Sequence, residues 1–271
     1  MATPIGNAAD ITLRALDVLA RADLVACEDT RITAKLLSMH GLKAPLAPYH
    51  EHNAARQRPM LLARLAAGEA IVLASDAGTP LVSDPGYKLV REAIAAGHRV
   101  TTLPGPSAPL AALVLSGLPS DRFLFAGFLP PKSAGRRAAL AELAAVPATL
   151  VMFESAGRLA DSLADMAAVL GPRPAAVARE LTKLYEEVRR GRLDELGRHY
   201  AEAGAPKGEI VVVVGPPEES ATAPAESDLD AALDAALARM SLRDAVDAVA
   251  AATGRKRREV YARALSRTKP R

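Results

Sequence analysis

The sequence predicts an α/β protein of two lobes followed by a small helical module, and three observations carry that expectation. Apolar runs of strand length alternate with segments of helical periodicity from residue 11 to about 215. Residues 217–228 then lose all periodicity in a Pro-, Ala-, Ser- and Glu-rich stretch that reads as a flexible linker. Beyond it, short amphipathic segments rich in Arg and Lys return, with the look of a helix-turn-helix unit. The expected domains are 1–118 and 119–216 as the two α/β lobes, divided at the turn-rich "SGLPSD", and 229–271 as the helical module.

Each element follows from local pattern. Asp10 caps a helix over roughly 11–21, where Leu13, Leu16, Val18 and Leu19 recur at helical spacing. "DLVACE" (23–28) is a strand, and a helix near 31–40 stops at Gly41. "APYHEHNAARQ" is a polar loop leading into a helix through "MLLARLAAG", which ends at Gly68. "AIVLAS" is a strand, "YKLVREAIAAG" a helix and "HRVTTLP" a further strand, and Pro106 opens the helix "SAPLAALVLSG". In the second lobe, "RFLFAGF", "ATLVMFES", "AAVARE", "EEVRRG" and "GEIVVVVG" are strands. "AGRRAALAELAA", residues 158–169 and "LDELGRHYAEA" are helices. This alternation predicts a largely parallel sheet. In the tail, Leu229, Ala232 and Leu233 begin a helix, and two more meet at Gly254.

The 271 residues are 50% hydrophobic and 24% charged, the balance of a globular protein with a sizeable core. No run has the length of a transmembrane helix, and "MATPIGNAAD" lacks the regions of a secretory signal, so a cytoplasmic location is the default expectation. Cys27 is the lone cysteine, which excludes a disulfide and a thiolate metal cage. Residues 255–271 hold eight Arg or Lys against Glu259, so that segment is +7 while the remainder of this +3 chain is −4. The asymmetry suits a polyanionic partner, although a solvated basic terminus has the same composition.

Three predicted strand ends are crowded with Gly and Pro: "TPIGN" (3–7), "SDAGTPLVSDPG" (75–86) and "LPGPSA" (103–108). Ligands of open α/β sheets bind at the carboxyl ends of strands. Glycine lets backbone approach a ligand, and proline stiffens the loop that holds it. Neither a P-loop nor a G-x-G-x-x-G after a strand is present, which argues against NTPases, kinases and nicotinamide dehydrogenases. A ligand without a triphosphate, held by backbone amides and carbonyls, fits these loops better.

"ATPIGN", "DITLRAL", "CEDTR", "YHEHN", "SDAGTPLVSDPG", "PGPSA", "SGLPSDRFLFAGFLP", "RELTKLYEE" and "KGEIVVVV" stand in this order. Together they resemble the 16S rRNA cytidine-2′-O-methyltransferases of the tetrapyrrole methylase superfamily, from residue 2 to about 215, and the basic tail resembles that family's C-terminal module. The resemblance implies a two-lobed tetrapyrrole-methylase-like fold, a homodimer, S-adenosyl-L-methionine folded into the cleft between lobes, and methylation of a decoding-region cytidine of 16S rRNA in the small subunit. It implies that Pro4 and the backbone of Asp76, Ala77 and Gly78 line the methionine side of the cleft. Ser107 and Ala108 then lie beside the cofactor, and Phe153, Gly208 and Glu209 face the adenosine. Family motifs also offer Asp29, Arg31, His50, Glu51, Glu154, Glu180 and Lys183 as polar candidates, but nothing ranks them and no general base is named.

Duller readings accompany several of these residues. "HEH" at 50–52 is read as a solvated loop in preference to a metal site, since no further His or Cys lies near it. Glu180 and Lys183 have the spacing of a pair across one helical turn. Arg31 and Lys35 share a helical face that either grips phosphate or is simply exposed. Arg255, Lys256, Arg257 and Arg258 are the tail's candidate RNA contacts. Where the family has Pro-His after Glu-Ser, this chain has Ala156 and Gly157, which removes any role for a histidine there. The rival functions are methylation of a corrin or porphyrin precursor, which needs no basic tail, and a nucleic-acid-binding protein whose α/β body only senses a ligand. Finally, relatives carry an apolar strand before "ATPIGN". With only Met1 ahead of Ala2, the expectation is a misassigned start, a native chain longer by about one strand, roughly 5–10 residues, and an unanchored loop at Pro4 and Gly6.

Overall fold

The computed structural model describes residues 1–217, 226–253, 255 and 257–268. The chain forms two compact units, Met1–Pro216 and Pro217–Arg271.

The first unit contains two sheets. In the smaller, β1 (Leu24–Cys27) lies between β2 (Leu46–Pro48) and β3 (Ile71–Ala74), all parallel. Helices α1 (Leu13–Arg21) and α2 (Thr30–Met39) cover one face, where Ala15, Leu19 and Leu37 meet Val25, Cys27 and Val72. Helices α3 (Ala54–Ala66) and α4 (Tyr87–Ala95) cover the other, where Leu61 and Leu89 meet Leu24 and Ala26. The alternation of β1 side chains between these two clusters is the period of two that a strand imposes.

The larger sheet has the order β4-β5-β8-β6-β7. Its strands are β4 (Phe123–Phe128), β5 (Thr149–Ser155), β6 (Pro174–Arg179), β7 (Glu187–Arg192) and β8 (Glu209–Val214). Helices α6 (Ser133–Leu143), α7 (Leu159–Leu170) and α8 (Leu193–Ala203) pack on one face, and α5 (Ala108–Ser116) on the other. "EIVVVV" is apolar throughout because Ile210, Val212 and Val214 point to the three-helix side while Val211 and Val213 point to α5. By packing, α5 goes with this second sheet although it precedes the "SGLPSD" turn.

Several expectations are corrected. The second sheet is not largely parallel: only β4 and β5 run parallel, and β5–β8, β6–β8 and β6–β7 are antiparallel. Seven residues, 180–186, join β6 to β7, too few for a parallel crossover. "HRVTTLP" is not a strand. Leu103 O accepts one bond, from Ala2 N–H at 3.0 Å, and Pro104 and Pro106 have no N–H to extend a ladder. Conversely, the expected loop at 47–57 contributes to β2 and to the first turn of α3, which begins at Ala54 and continues through Pro59. Asp10 does not cap α1; the Thr12 hydroxyl accepts from Ala15 N–H instead, at 3.2 Å. Likewise α5 is opened by Ser107, with Pro109 in its first turn, and not by Pro106. The amino-terminal loop is anchored, against expectation: Thr3 exchanges both backbone hydrogen bonds with Gly78, at 2.9 and 3.0 Å.

In the second unit, α9 (Glu226–Leu237), α10 (Leu242–Thr253) and α11 (Arg257–Thr268) bury a core of Leu229, Leu233, Val246, Val249, Val260 and Ala264. Arg263 forks onto the Asp230 carboxylate at 2.8 and 2.9 Å, tying α11 to α9. The helix start at Glu226 shortens the expected linker. Residues 218–225, Gly254 and Lys256 lie outside the described residues.

Candidate active site

Backbone turns at strand ends build the site. After β3 the chain makes two tight turns over 75–86, with the non-glycine residues Leu81 (φ 71°) and Ser83 (φ 64°) in the left-handed region. Such conformations cost of order 1–3 kcal/mol each and persist only where packing enforces them. The turn is held from within by the Ser75 hydroxyl, 3.0 Å from Gly78 O, and from outside by Thr79 Oγ1, 3.2 Å from Pro106 O. It faces a cavity of about 490 Å³, a size typical of small-molecule sites. The opposite wall comes from the ends of β5, β6 and β8 in the larger sheet.

Of the sequence-predicted cofactor residues, the structure brings Asp76, Ala77, Gly78, Ser107, Ala108, Phe153, Gly208 and Glu209 onto this one cavity. Pro4 is not on it; Ile5 is. The polar candidates divide. Glu154 is 3% exposed at the cavity wall, and its carboxylate accepts from Ser155 N–H at 2.7 Å, from Arg158 and from the Ser162 hydroxyl. Arg158 thus anchors the end of β5, one residue beyond Gly157. Asp29 receives Arg31 at 2.6 Å, and that guanidinium holds its carboxyl down to about 2. Asp29 N–H donates to Asp76 Oδ1 at 2.9 Å, linking the ends of β1 and β3. Lys35 is exposed on α2 beside Arg31. His50 and His52 stand edge to face at 6.0 Å in a turn closed by Asn53, whose Oδ1 accepts from His50 N–H, and Glu51 is exposed there. In the tail, Arg257 pairs with Asp247, and Arg258 is exposed on α11.

Glu180 and Lys183 do pair, at 2.8 Å, but not on a helix: Glu180 (φ 50°) and Thr182 (φ 64°) are left-handed. Lys183 Nζ also reaches Glu209 Oε2 at 2.8 Å, and Asn7 N–H donates to Thr182 Oγ1 at 3.1 Å. The loop therefore binds the amino-terminal turn to the start of β8. Gly208 (φ 102°) is required at that point, since a Cβ there would lie 2.3 Å from Glu180 Oε1. Lys183 holds the Glu180 carboxyl below the usual range.

Sequence reading passed over Asp84, although it stands inside the quoted turn. It lines the cavity, and its carboxyl is pushed up to about 6, first by burial and then by the Glu28 and Asp76 carboxylates, against a hydrogen bond from Ser75. Two acidic residues eight positions apart give no sequence signal; the double turn alone brings them together.

A cavity of this size at strand ends, lined by apolar side chains, turn residues and four carboxylates, has the character of a small-molecule binding site. Residues 2–197 match the family described as Tetrapyrrole (Corrin/Porphyrin) Methylases, and residues 223–268 match the RsmI C-terminal HTH domain. The chain is 56% identical to "Ribosomal RNA small subunit methyltransferase I" of Mesorhizobium japonicum over 98% of this chain and 90% of that one. It is 46% identical to the protein of the same name from Pseudomonas aeruginosa, over 98% and 96%. In fold it is similar to uroporphyrin-III C-methyltransferase from Thermus thermophilus complexed with S-adenosyl homocysteine, with a TM-score of 0.54 at 22% identity over 79% of this chain and 94% of that one. The chain belongs to the tetrapyrrole methylases and, among them, to the ribosomal RNA small subunit methyltransferase I family. It is a methyltransferase.

Proposed function

We propose that this chain methylates the ribose 2′-oxygen of a decoding-region cytidine in 16S rRNA, within the small ribosomal subunit, with S-adenosyl-L-methionine as donor. The identity of 56% across 90% of a relative named a ribosomal RNA small subunit methyltransferase carries the RNA part of the reading, and the family resemblance supplies the cytidine 2′-oxygen. The basic run 255–271 at the end of the helical unit supports it, because a corrinoid substrate gives such a run nothing to bind. The cavity fits the donor: about 490 Å³, apolar where Phe153 and Val211 face it and backbone-polar along Asp76–Gly78. When bound, the donor supplies a methyl group on a sulfonium, a good leaving group for in-line displacement. The protein's main contribution is alignment. Asp76, Ala77, Gly78, Ser107 and Ala108 hold the methionine side, and Phe153, Gly208 and Glu209 the nucleoside side. The strained turns at 81–83 and 180–182 keep those walls fixed without reorganisation.

Arg31, Lys35, Arg255, Lys256, Arg257 and Arg258 supply phosphate contacts in this reading. Arg31 exchanges Asp29 for phosphate, and Arg257 exchanges Asp247. A homodimer and a cytoplasmic location complete it. The dimer is supported by apolar side chains left in water, notably Leu184 at 89% and Val114 at 78% exposure. Mass spectrometry of 16S rRNA nucleosides, with and without this protein, tests the function. Labelled donor offered with 30S subunits or with a corrinoid separates it from its nearest rival: label in the corrinoid alone would overturn the proposal.

A further inference from the structure

Four carboxylates line the cavity: Asp76, Asp84, Glu154 and Glu209. Two carry cations, and a third is tied to the neighbouring strand end. Glu154 is saturated by Ser155, Arg158 and Ser162, Glu209 is paired with Lys183 at 2.8 Å, and Asp76 accepts from Asp29 N–H at 2.9 Å. Asp84 has no cationic partner within salt-bridge distance among the described residues. It sits within the double turn, three residues after left-handed Leu81 and directly between left-handed Ser83 and Pro85. A carboxylate held in a strained turn, lining a ligand cavity and carrying no counter-cation, is what a proton acceptor requires.

We infer that Asp84 is the general base of the methyl transfer, an assignment that rests on the ribose 2′-oxygen reading above. The 2′-oxygen forms its bond to the methyl carbon as the carbon–sulfur bond breaks. That electron pair stays on sulfur, leaving neutral S-adenosylhomocysteine, and the 2′-hydroxyl proton passes to a carboxylate oxygen of Asp84. The proton then returns to solvent when product leaves. Glu28 from the end of β1 and Asp76 from the end of β3 face Asp84 and favour its protonated form, and the Ser75 hydroxyl opposes them. Across the cavity, Glu154 and Glu209 carry their own cations, Arg158 and Lys183. The acceptor is therefore a stronger base than an ordinary aspartate, yet ionised at neutral pH.

The test measures 2′-O-methylcytidine formed on 30S subunits by the full-length protein between pH 5 and 9, for wild type, Asp84→Asn and Asp84→Glu, with S-adenosylhomocysteine affinity by calorimetry. For wild type, kcat/KM should fall as pH drops through about 6. Asp84→Asn should lose roughly 100-fold or more in kcat, the usual worth of a positioned base, and should lose the acid limb. Its S-adenosylhomocysteine affinity should stay within about threefold of wild type, and Asp84→Glu should recover part of the rate with an acid limb of its own. If Asp84→Asn matches wild type in rate and pH profile, or if its loss is matched by lost S-adenosylhomocysteine affinity, Asp84 is not the base. Wild type that forms no 2′-O-methylcytidine overturns the functional reading and this role together; wild type that does, beside an equally active Asp84→Asn, overturns the role alone.

Discussion

Gly78 shows how little of the site is side chain. Its φ of 76° and its two-way backbone pairing with Thr3 fix it at the junction of two cavity-lining turns. Valine there must adopt a conformation that β-branched residues avoid, at a cost of about 1–3 kcal/mol. Gly78→Val is expected to remain folded and to lose at least tenfold in S-adenosylmethionine affinity by calorimetry; unchanged affinity would remove the turn from the binding wall. Asp84 gives the complementary case, in which function opposes stability. Because its folded carboxyl binds its proton up to about 6, the folded state holds that proton more tightly than the unfolded chain does between roughly pH 4 and 6. Stability from this group is thus lost as pH rises through that window. Asp84→Asn should melt above wild type at pH 7, and the gap should close below about pH 4. A melting temperature for Asp84→Asn below wild type at pH 7 would contradict the burial ascribed to this carboxyl.

Among the elements, two contacts distinguish structural from site charge. Arg136 on α6 is 3% exposed and spans to Asp165 on α7 at 2.7 Å, with Ser133 on the second oxygen. Arg136→Met strands a buried carboxylate and should cost about 3–5 kcal/mol, read as a lower urea midpoint. Lys183 on the β6–β7 loop is only partly covered, so Lys183→Met should cost about 1 kcal/mol or less. Glu180 is held below its usual range by Lys183, so this contribution is present above the ordinary carboxylate pKa and vanishes in acid. The melting gap between Lys183→Met and wild type should therefore be widest at neutral pH and shrink below about pH 4. The same scale explains what was legible. Strands buried on both faces, such as 209–214, and helices with a clear apolar stripe could be read directly. Leu46–Pro48 could not, since three residues that follow one proline and end on another become a strand only because β1 offers them a partner. "HRVTTLP" has strand composition but no neighbour to pair with beyond Ala2. The antiparallel β6–β7 pair follows from its seven-residue connection, whereas the antiparallel placement of β8 is a relation between elements that composition does not carry. The cavity wall was readable because its Gly- and Pro-rich turns lie at strand ends. Asp84 was hidden because its character depends on Glu28 and Asp76, brought beside it only by folding.

At the scale of the molecule, the basic run 255–271 and the candidate cavity belong to different compact units. A chain ending at Pro216 should keep S-adenosylmethionine affinity within about threefold. It should bind 30S subunits more weakly, with a shallower salt dependence by about 0.7–0.9 per lost phosphate contact. An identical salt slope would show that the basic helices do not touch RNA. The cavity itself is assembled from residues near 5, 76–84, 107–109, 153–156 and 208–211, closed by Thr3 on Gly78 and by Lys183 on Glu209. Residues near 5 and near 210 are among the most widely separated in the first unit, and that span gives the candidate site a kinetic place as well as a spatial one. Loops of that span close late, after the strands and helices that carry them. Cofactor should then meet no competent site until the folding barrier has been passed. S-adenosylhomocysteine at a hundred times its Kd stabilises by about 2.7 kcal/mol, and nearly all of this should appear as a roughly hundredfold slower unfolding rate, with refolding unaltered. The ligand is a lock turned after the door has shut.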